Sequence, residues 1–117
     1  MNLDNCRNTP YKDIVNIVQG AIDRKLHPGV AFREIQESFG LTQGDTAKRL
    51  CVSRGTINQF CNGKRGLSAS LAIRIAIWTH TTPQSWMRMQ SDHELSKVKD
   101  DVAAMISINK IQPLRYF

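Results

Sequence analysis

The sequence of 117 residues predicts an all-α protein. Apolar residues recur at spacings of three and four along most of the chain, which is the period that gives an α-helix one buried face. Three prolines follow Thr9, His27 and Thr82, and proline suits the first turn of a helix because its φ is fixed and it lacks an N–H. We expect helices at 10–25, 28–39, 42–50, 53–62, 68–79 and 83–106, then an extended tail over 108–117 with a short strand as one option.

Length and composition indicate one small domain with a modest core, too short for a two-domain enzyme. The most apolar stretch, 71–78, is interrupted by Arg74, and the first residues carry charges where a signal peptide would be apolar. Three cysteines without a C-x-x-C pair favour free thiols in a reducing compartment. The three histidines are scattered, so we expect no metal, no cofactor and no catalytic site.

The first predicted helix carries an apolar stripe made of Ile14, Val15, Val18, Ala21, Ile22 and Leu26. Such a stripe usually packs on the helix's own domain, although it could also be offered to a protein partner. We expect residues 1–26 to form an N-terminal helical extension, residues 27–96 a domain, and residues 97–117 the end of the last helix with the tail.

Residues 41–66, LTQGDTAKRLCVSRGTINQFCNGKRG, predict two short helices joined by a tight turn at Cys51 and Val52. Thr42 and Asp45 have the spacing of a capping box, in which each side chain accepts a hydrogen bond from the other's backbone N–H. The first short helix therefore begins at Gln43. Its inward positions are expected to be Thr46, Ala47 and Leu50.

The second short helix is predicted to combine a buried stripe with a polar outer face. Ser53 caps it, and the stripe consists of Ile57, Phe60 and Cys61. Arginine, asparagine and glutamine on the outer face suit the major groove, where they can pair with guanine or adenine. The pair Asn62 and Gly63 ends the helix, and Lys64 and Arg65 follow where a DNA phosphate could be met. This is the layout of a helix-turn-helix that binds DNA.

Positive charge is concentrated in the same part of the chain. Residues 41–80 hold six of the sixteen basic residues and one of the ten acidic residues, whereas the remainder is nearly balanced. Localised basicity is typical of a surface that binds a polyanion. The alternative is a helical hairpin with a solvated basic face.

Two further helices complete the pattern. In the helix over 68–79, capped by Ser68, apolar residues lie nearly all round, including Ile73 and Ile77, so we expect it to be buried centrally. The last helix has an apolar stripe for which few intramolecular partners remain, and we expect a homodimer contact there rather than simple packing on its own domain. The predicted interface residues are Trp86, Met87, Leu95, Val98 and Val102.

Several of these segments together resemble the HigA-type antitoxins of bacterial toxin–antitoxin modules, within the broader Xre family. The resemblance covers about residues 27–98 and is carried by His27-Pro28-Gly29, the helix-turn-helix, 63–68 (GKRGLS), 71–76 (LAIRIA) and 82–90 (TPQSWMRMQ). It implies a lambda-repressor-like bundle of five helices, here with an additional N-terminal helix. It also implies a cytoplasmic homodimer that neutralises a HigB-type, RelE-like ribonuclease toxin and represses its own operon at a palindromic operator.

The resemblance assigns DNA contacts residue by residue. Base contacts fall on Arg54, Gly55, Thr56, Asn58 and Gln59, and phosphate contacts on Gln43, Ser53, Asn62 and Lys64, with Arg65 beside them. Three residues depart from the family. Gly55 replaces a long polar residue, Cys51 stands where the turn usually has a left-handed glycine, and Thr46 replaces a large aliphatic residue, which should thin the core.

Two other functions remain compatible with the sequence. One is a stand-alone Xre-type transcriptional repressor without a toxin partner. The other is a protein that only holds a toxin, its DNA contacts having been weakened at Gly55 and Cys51. Two roles also remain open for the N-terminal stripe: it could bind the toxin, or it could pack on the domain as an extra helix.

Overall fold

The computed structural model describes residues 11–107, 110–112 and 114. These residues form six α-helices and no strand: α1 (Tyr11–Asp23), α2 (Pro28–Ser38), α3 (Gln43–Leu50), α4 (Arg54–Cys61), α5 (Ala69–Thr79) and α6 (Pro83–Ser107). The predicted bounds hold within two residues, so the all-α fold is confirmed. Pro10 and most of the predicted tail lie outside the described residues. None of the described helices is long and apolar enough to cross a membrane.

The core lies where α2, α4, α5 and α6 meet. Its largest fully buried side chains include Phe32, Ile35, Ile57, Phe60, Ile75 and Trp86. The ring of Phe32 contacts those of Phe60 and Trp78, with centroids 5.6 and 5.5 Å apart. Aromatic residues from three helices therefore meet at one point, which fixes α4 against the bundle.

Helix α1 packs on α2 and α6 and joins the same core. Ile14, Val18 and Ala21 are buried, whereas Val15 is exposed. The structure thus shows the packing use of the N-terminal stripe, and one apolar edge remains open to solvent.

The motif His27-Pro28-Gly29 has a packing explanation. The imidazole Nδ1 of His27 accepts the N–H of Gly29 at 2.9 Å and so caps α2, while Pro28 occupies the first turn. A Cβ on Gly29 would collide with the backbone carbonyl of Phe60. Only glycine therefore lets the start of α2 lie directly against the end of α4.

The segment over 82–90 joins α6 to the rest of the bundle. The indole N–H of Trp86 donates to Thr81 Oγ1 at 2.7 Å, and the ring is fully buried. Four residues further on, the buried Gln90 accepts the backbone N–H of Leu67 through Oε1 at 2.9 Å. These two contacts attach α6 to the loop that precedes it and to the loop that follows α4.

The prediction that α5 is buried on all sides is wrong. Leu71, Ala72 and Ile75 face the core, but Ile73 and Ile77 remain 49% and 72% exposed. Among the described residues, α5 packs against α3 and α6 through its core-facing side, and no described helix covers the side with Ile73 and Ile77. Hydrophobic character alone did not show that the second face would lack a neighbour.

Candidate nucleic-acid interface

The helix-turn-helix begins with the predicted capping box. The backbone N–H of Thr42 donates to Asp45 Oδ2 at 3.0 Å, and the N–H of Asp45 donates to Thr42 Oγ1 at 3.1 Å. The backbone hydrogen bond from Thr42 holds the pKa of Asp45 below its ordinary value. Helix α3 therefore starts at Gln43 as expected, with its first turn held in place.

The turn keeps a left-handed residue although that residue is cysteine. Cys51 has φ 56° and ψ 45°, and its side chain is exposed. Cysteine usually serves as a small buried residue at a helix-packing position, but Cys51 does not, since it lies in the turn with its side chain exposed. Arg74 Nη1 donates to the carbonyls of Leu50 at 2.7 Å and Cys51 at 3.3 Å, which satisfies acceptors left open at the end of α3.

The contact between α2 and α3 contains a polar pair. Thr46, Ala47 and Leu50 all face inward, as predicted. Thr46 Oγ1 donates to Gln36 Oε1 at 2.7 Å, and both residues are buried. The departure from an aliphatic residue at Thr46 is therefore matched by a hydrogen-bond partner on the neighbouring helix.

Helix α4 has the two faces that its sequence predicted. Ile57, Phe60 and Cys61 are buried, and burial raises the pKa of the Cys61 thiol. Ser53 caps the helix by accepting the N–H of Thr56 at 3.1 Å, and its hydroxyl also bonds to that of Thr56. The outer face is exposed at Arg54, Gly55, Asn58 and Gln59.

Gly55 lies in open space on this face. A Cβ there would have as its nearest neighbour Ser53 Oγ, at 3.9 Å. The protein itself thus gives no packing reason for a glycine. The side chain of Arg54 makes no hydrogen bond or ion pair with the described residues, which leaves its guanidinium available to a ligand.

A chain of amides crosses from α3 to the end of α4. Asn58 Nδ2 donates to Gln43 Oε1 at 3.0 Å, and Asn62 Nδ2 donates to Asn58 Oδ1 at 3.3 Å. Arg33 Nη2 then donates to Asn62 Oδ1 at 2.8 Å and to the carbonyl of Cys61 at 2.9 Å. The structure therefore brings one predicted base-contacting residue between two predicted phosphate-contacting residues.

The basic loop is connected to the same face. Lys64 N–H donates to the carbonyl of Gln59 at 2.8 Å, and Gly63 takes a left-handed φ of 70°, as the Asn62-Gly63 pair predicted. Arg65 Nε donates to Gln59 Oε1 at 3.1 Å. Lys64 and Arg65 are exposed beside the end of α4. Two more predicted site residues, Gln59 and Arg65, are thus in direct contact.

Sequence reasoning missed the roles of Arg33 and Arg74. Both support the helix-turn-helix from elsewhere in the chain, since each donates to a carbonyl at the end of a short helix. Their separation from these carbonyls is 28 and 24 residues, so no local spacing indicates the contact.

The predicted dimer surface needs one correction. Trp86 is fully buried in the core of its own domain, so its ring has no surface for a second copy. The other four predicted residues, Met87, Leu95, Val98 and Val102, are exposed and stay a prediction. Within the described part of the chain, no cluster of histidine, cysteine or acidic residues could hold a metal ion.

Two capped helices, a closed turn and an exposed polar helix beside a basic loop define the class of DNA-binding helix-turn-helix proteins. A helix-turn-helix family profile matches residues 32–77. Virulence-associated protein I of Dichelobacter nodosus is 36% identical over 90 residues, which cover 76% of this chain and 81% of that protein.

Two solved structures are similar over most of their length. The Pseudomonas aeruginosa antitoxin HigA, solved with the higBA promoter, has a TM-score of 0.69 and 33% identity, and the match covers 77% of this chain and 98% of that one. A P. aeruginosa structure of a protein in complex with its 28-base-pair operator DNA also has a TM-score of 0.69, with 32% identity, and the match covers 76% of this chain and 98% of that one. The chain belongs to the Xre-type helix-turn-helix family that includes the HigA antitoxins. It is an antitoxin-like DNA-binding protein.

Proposed function

We propose that the chain is the antitoxin of a toxin–antitoxin module, which neutralises a HigB-type mRNA-cleaving ribonuclease and represses its own operon as a dimer on a palindromic operator. The observation that carries this proposal is the exposed outer face of α4, which is joined by side-chain hydrogen bonds to Gln43 of α3 and to Arg65 of the basic loop. The similarity of the chain to an antitoxin that was solved with its promoter DNA supports a DNA-binding role for this face.

The outer face of α4 supplies the base contacts. Arg54 is exposed and has an uncommitted guanidinium, which can donate two hydrogen bonds to guanine in the major groove. Asn58 and Gln59 are held by Gln43 and Arg65, so their amides are oriented before DNA arrives. Thr56 can contact a thymine methyl group. At Gly55 the backbone is bare, and a DNA group can approach it closely.

Phosphate contacts lie around this helix. We assign them to Gln43 and Ser53 at the starts of the two short helices, and to Asn62, Lys64 and Arg65 at the end of α4. Helix starts present backbone N–H groups to anions, and the basic loop adds charge. These contacts position the protein on DNA, whereas the α4 face selects the sequence.

The dimer is assigned to the exposed apolar residues of α6, namely Met87, Leu95, Val98 and Val102. A twofold pair presents two recognition helices about 34 Å apart, which matches a palindromic operator. The toxin contact is assigned to a surface away from α4, and the exposed side of α1 with Tyr11 and Val15 is available there.

A titration against the chain's own promoter DNA tests the DNA half. We expect affinity for the promoter to exceed that for random DNA of equal length, and to fall steeply between 50 and 200 mM salt because phosphate binding releases counterions. Binding that ignores salt, or that is undetectable for both DNAs, would overturn this half.

Co-expression with the product of a neighbouring gene tests the toxin half. We expect that product to arrest growth alone and this chain to restore growth by forming a complex with it. A DNA-binding chain that rescues growth from no neighbour would instead be a stand-alone Xre-type repressor. Rescue without detectable promoter binding would leave only the toxin-holding function.

A further inference from the structure

The distal half of α6 carries an apolar seam that its own bundle does not cover. We define the tail seam as Leu95, Val98, Val102 and Met105, which are 61%, 48%, 39% and 44% exposed. Their spacings of three, four and three place them at alternating a and d positions of a heptad repeat. This is the pattern by which two α-helices pair along their length.

The direction of the tail seam rules out its own bundle as the partner. Helix α6 meets the bundle through Trp86, Met89 and Gln90, all of which are buried. With about 100° of rotation per residue, the tail seam points roughly 140° away from Trp86 around the helix. The described bundle and the seam therefore lie on different sides of α6, so none of the described helices covers the seam.

Charges beside the tail seam indicate a second copy in parallel orientation. Glu94 occupies the g position before Leu95, and Lys99 the e position after Val98, and both are exposed. In a parallel pair the g residue of one helix faces the e residue five positions later in the other helix. Glu94 of each copy therefore faces Lys99 of the other copy, which gives two equivalent pairs. Opposite charges face each other at both places.

The antiparallel arrangement places like charges together. If Leu95 packed against Met105 of the second copy, the twofold axis would bring Lys99 next to Lys99 and Asp101 next to Asp101. Like charges at such positions discriminate against a pairing. The same four residues thus form the same apolar contact in either direction, but only the parallel direction is electrostatically complementary.

We propose that the α6 tails of two copies pair through the tail seam as a parallel, two-stranded coiled coil, with the two bundles side by side at its amino-terminal end. This inference rests on the proposed dimer and specifies its geometry. Two heptads are short, but α6 is already nucleated by its packing over 83–93, so pairing does not require a new helix to form.

Disulfide trapping on the full chain tests the direction. In a background with Cys6→Ser and Cys51→Ser, the variant Val98→Cys should oxidise to a covalent dimer with itself, because equivalent d positions face each other in a parallel pair. Asp100→Cys, on the opposite side of α6, is the matched control and should remain uncrosslinked. Covalent dimer that forms only when Val98→Cys and Val102→Cys chains are mixed would show an antiparallel pair and overturn the inference.

Charge reversal gives an independent measurement. Lys99→Glu should raise the dimer dissociation constant, measured by sedimentation equilibrium, about tenfold. The double variant with Glu94→Lys and Lys99→Glu in the same chain should recover most of the lost affinity. Lys97→Glu makes the same chemical change away from the seam and should leave the constant unchanged. If the chain is dimeric and Lys99→Glu leaves the dissociation constant unchanged, the parallel geometry is overturned but the proposed dimer is not. A chain that stays monomeric overturns this geometry and the proposed dimer, while promoter binding tests the helix-turn-helix separately.

Discussion

Thr46 and Gln36 meet inside the protein, where the hydroxyl of Thr46 donates a hydrogen bond to the amide oxygen of Gln36 at 2.7 Å. Both side chains are buried, and every buried side-chain polar atom within the described residues has a partner. The pair links α2 to the first helix of the helix-turn-helix. A buried hydrogen bond has a directional requirement that an apolar contact lacks, so it orients α3 as well as attaching it.

The variant Thr46→Val should lower the free energy of unfolding by about 1–3 kcal/mol, because it keeps the shape of the side chain but leaves the Gln36 oxygen buried without a donor. Urea denaturation would measure the loss. Adding Gln36→Leu should recover most of it, since both polar groups are then gone. Equal stability of Thr46→Val and the unaltered protein would contradict the role of the pair.

The variant Cys51→Gly should raise the free energy of unfolding by about 1 kcal/mol. Cys51 has a left-handed backbone, where a Cβ is crowded and glycine is not. Thermal unfolding would detect the gain. Cys51→Ala is the matched control, because it removes the thiol but keeps the Cβ, and it should bring no stabilisation. An equal gain in both variants would mean that backbone strain is not the cause.

The variant Arg54→Ala should cost about 1–3 kcal/mol of promoter binding and reduce the preference for promoter over random DNA. By contrast, Lys64→Ala should weaken both DNAs alike and lower the salt slope by about one, as expected of a phosphate contact. Fluorescence anisotropy at several salt concentrations would separate the two effects. Equal losses of sequence preference in both variants would contradict the assignment of roles.

Stability should fall as the pH drops from 7 towards 5. Burial and the neighbouring His93 and Lys97 lower the pKa of His27, although a hydrogen bond to the Arg65 backbone and the charge of Glu94 partly oppose them. The unfolded state therefore binds more protons than the folded state below the ordinary histidine pKa of 6.5, and acid favours unfolding. Protonated His27 Nδ1 also cannot accept the N–H of Gly29.

Urea midpoints measured between pH 5 and 8 would check this dependence. The variant His27→Asn keeps an acceptor at the start of α2 without a titrating group, so its midpoint should vary less over the same range. An identical pH dependence in the two proteins would show that His27 does not contribute.

Local signals accounted for most of the fold and for the framework of the site. Thr42, Ser53 and Ser68 all cap helices at the expected positions, because a cap depends on residues within one turn of it. The buried stripe of α4 also followed from spacing alone. The exposed outer face could be predicted as well, since the residues opposite a buried stripe lie on the solvent side of the helix.

The predictions were wrong where the burial of a side chain depended on residues that are distant in the sequence. Trp86 was expected at a dimer surface, but it is fully buried and donates to Thr81, and Ile73 was expected to be buried, but it is 49% exposed. Hydrophobicity says that a side chain favours burial, not which surface will cover it. For Arg33 and Arg74, the neighbouring residues in the sequence do not indicate which carbonyls their side chains contact.

Six helices, their caps, the helix-turn-helix and the polar face of α4 could be predicted from the sequence, because each depends on interactions between residues close in the chain. Three relations could be read from the folded protein alone: Gln43, Asn58 and Asn62 form one hydrogen-bonded row, Gly29 lies against the end of α4, and the tail seam points away from the described bundle. These relations depend on how separate helices cross, and crossing is set by the packing of the whole core.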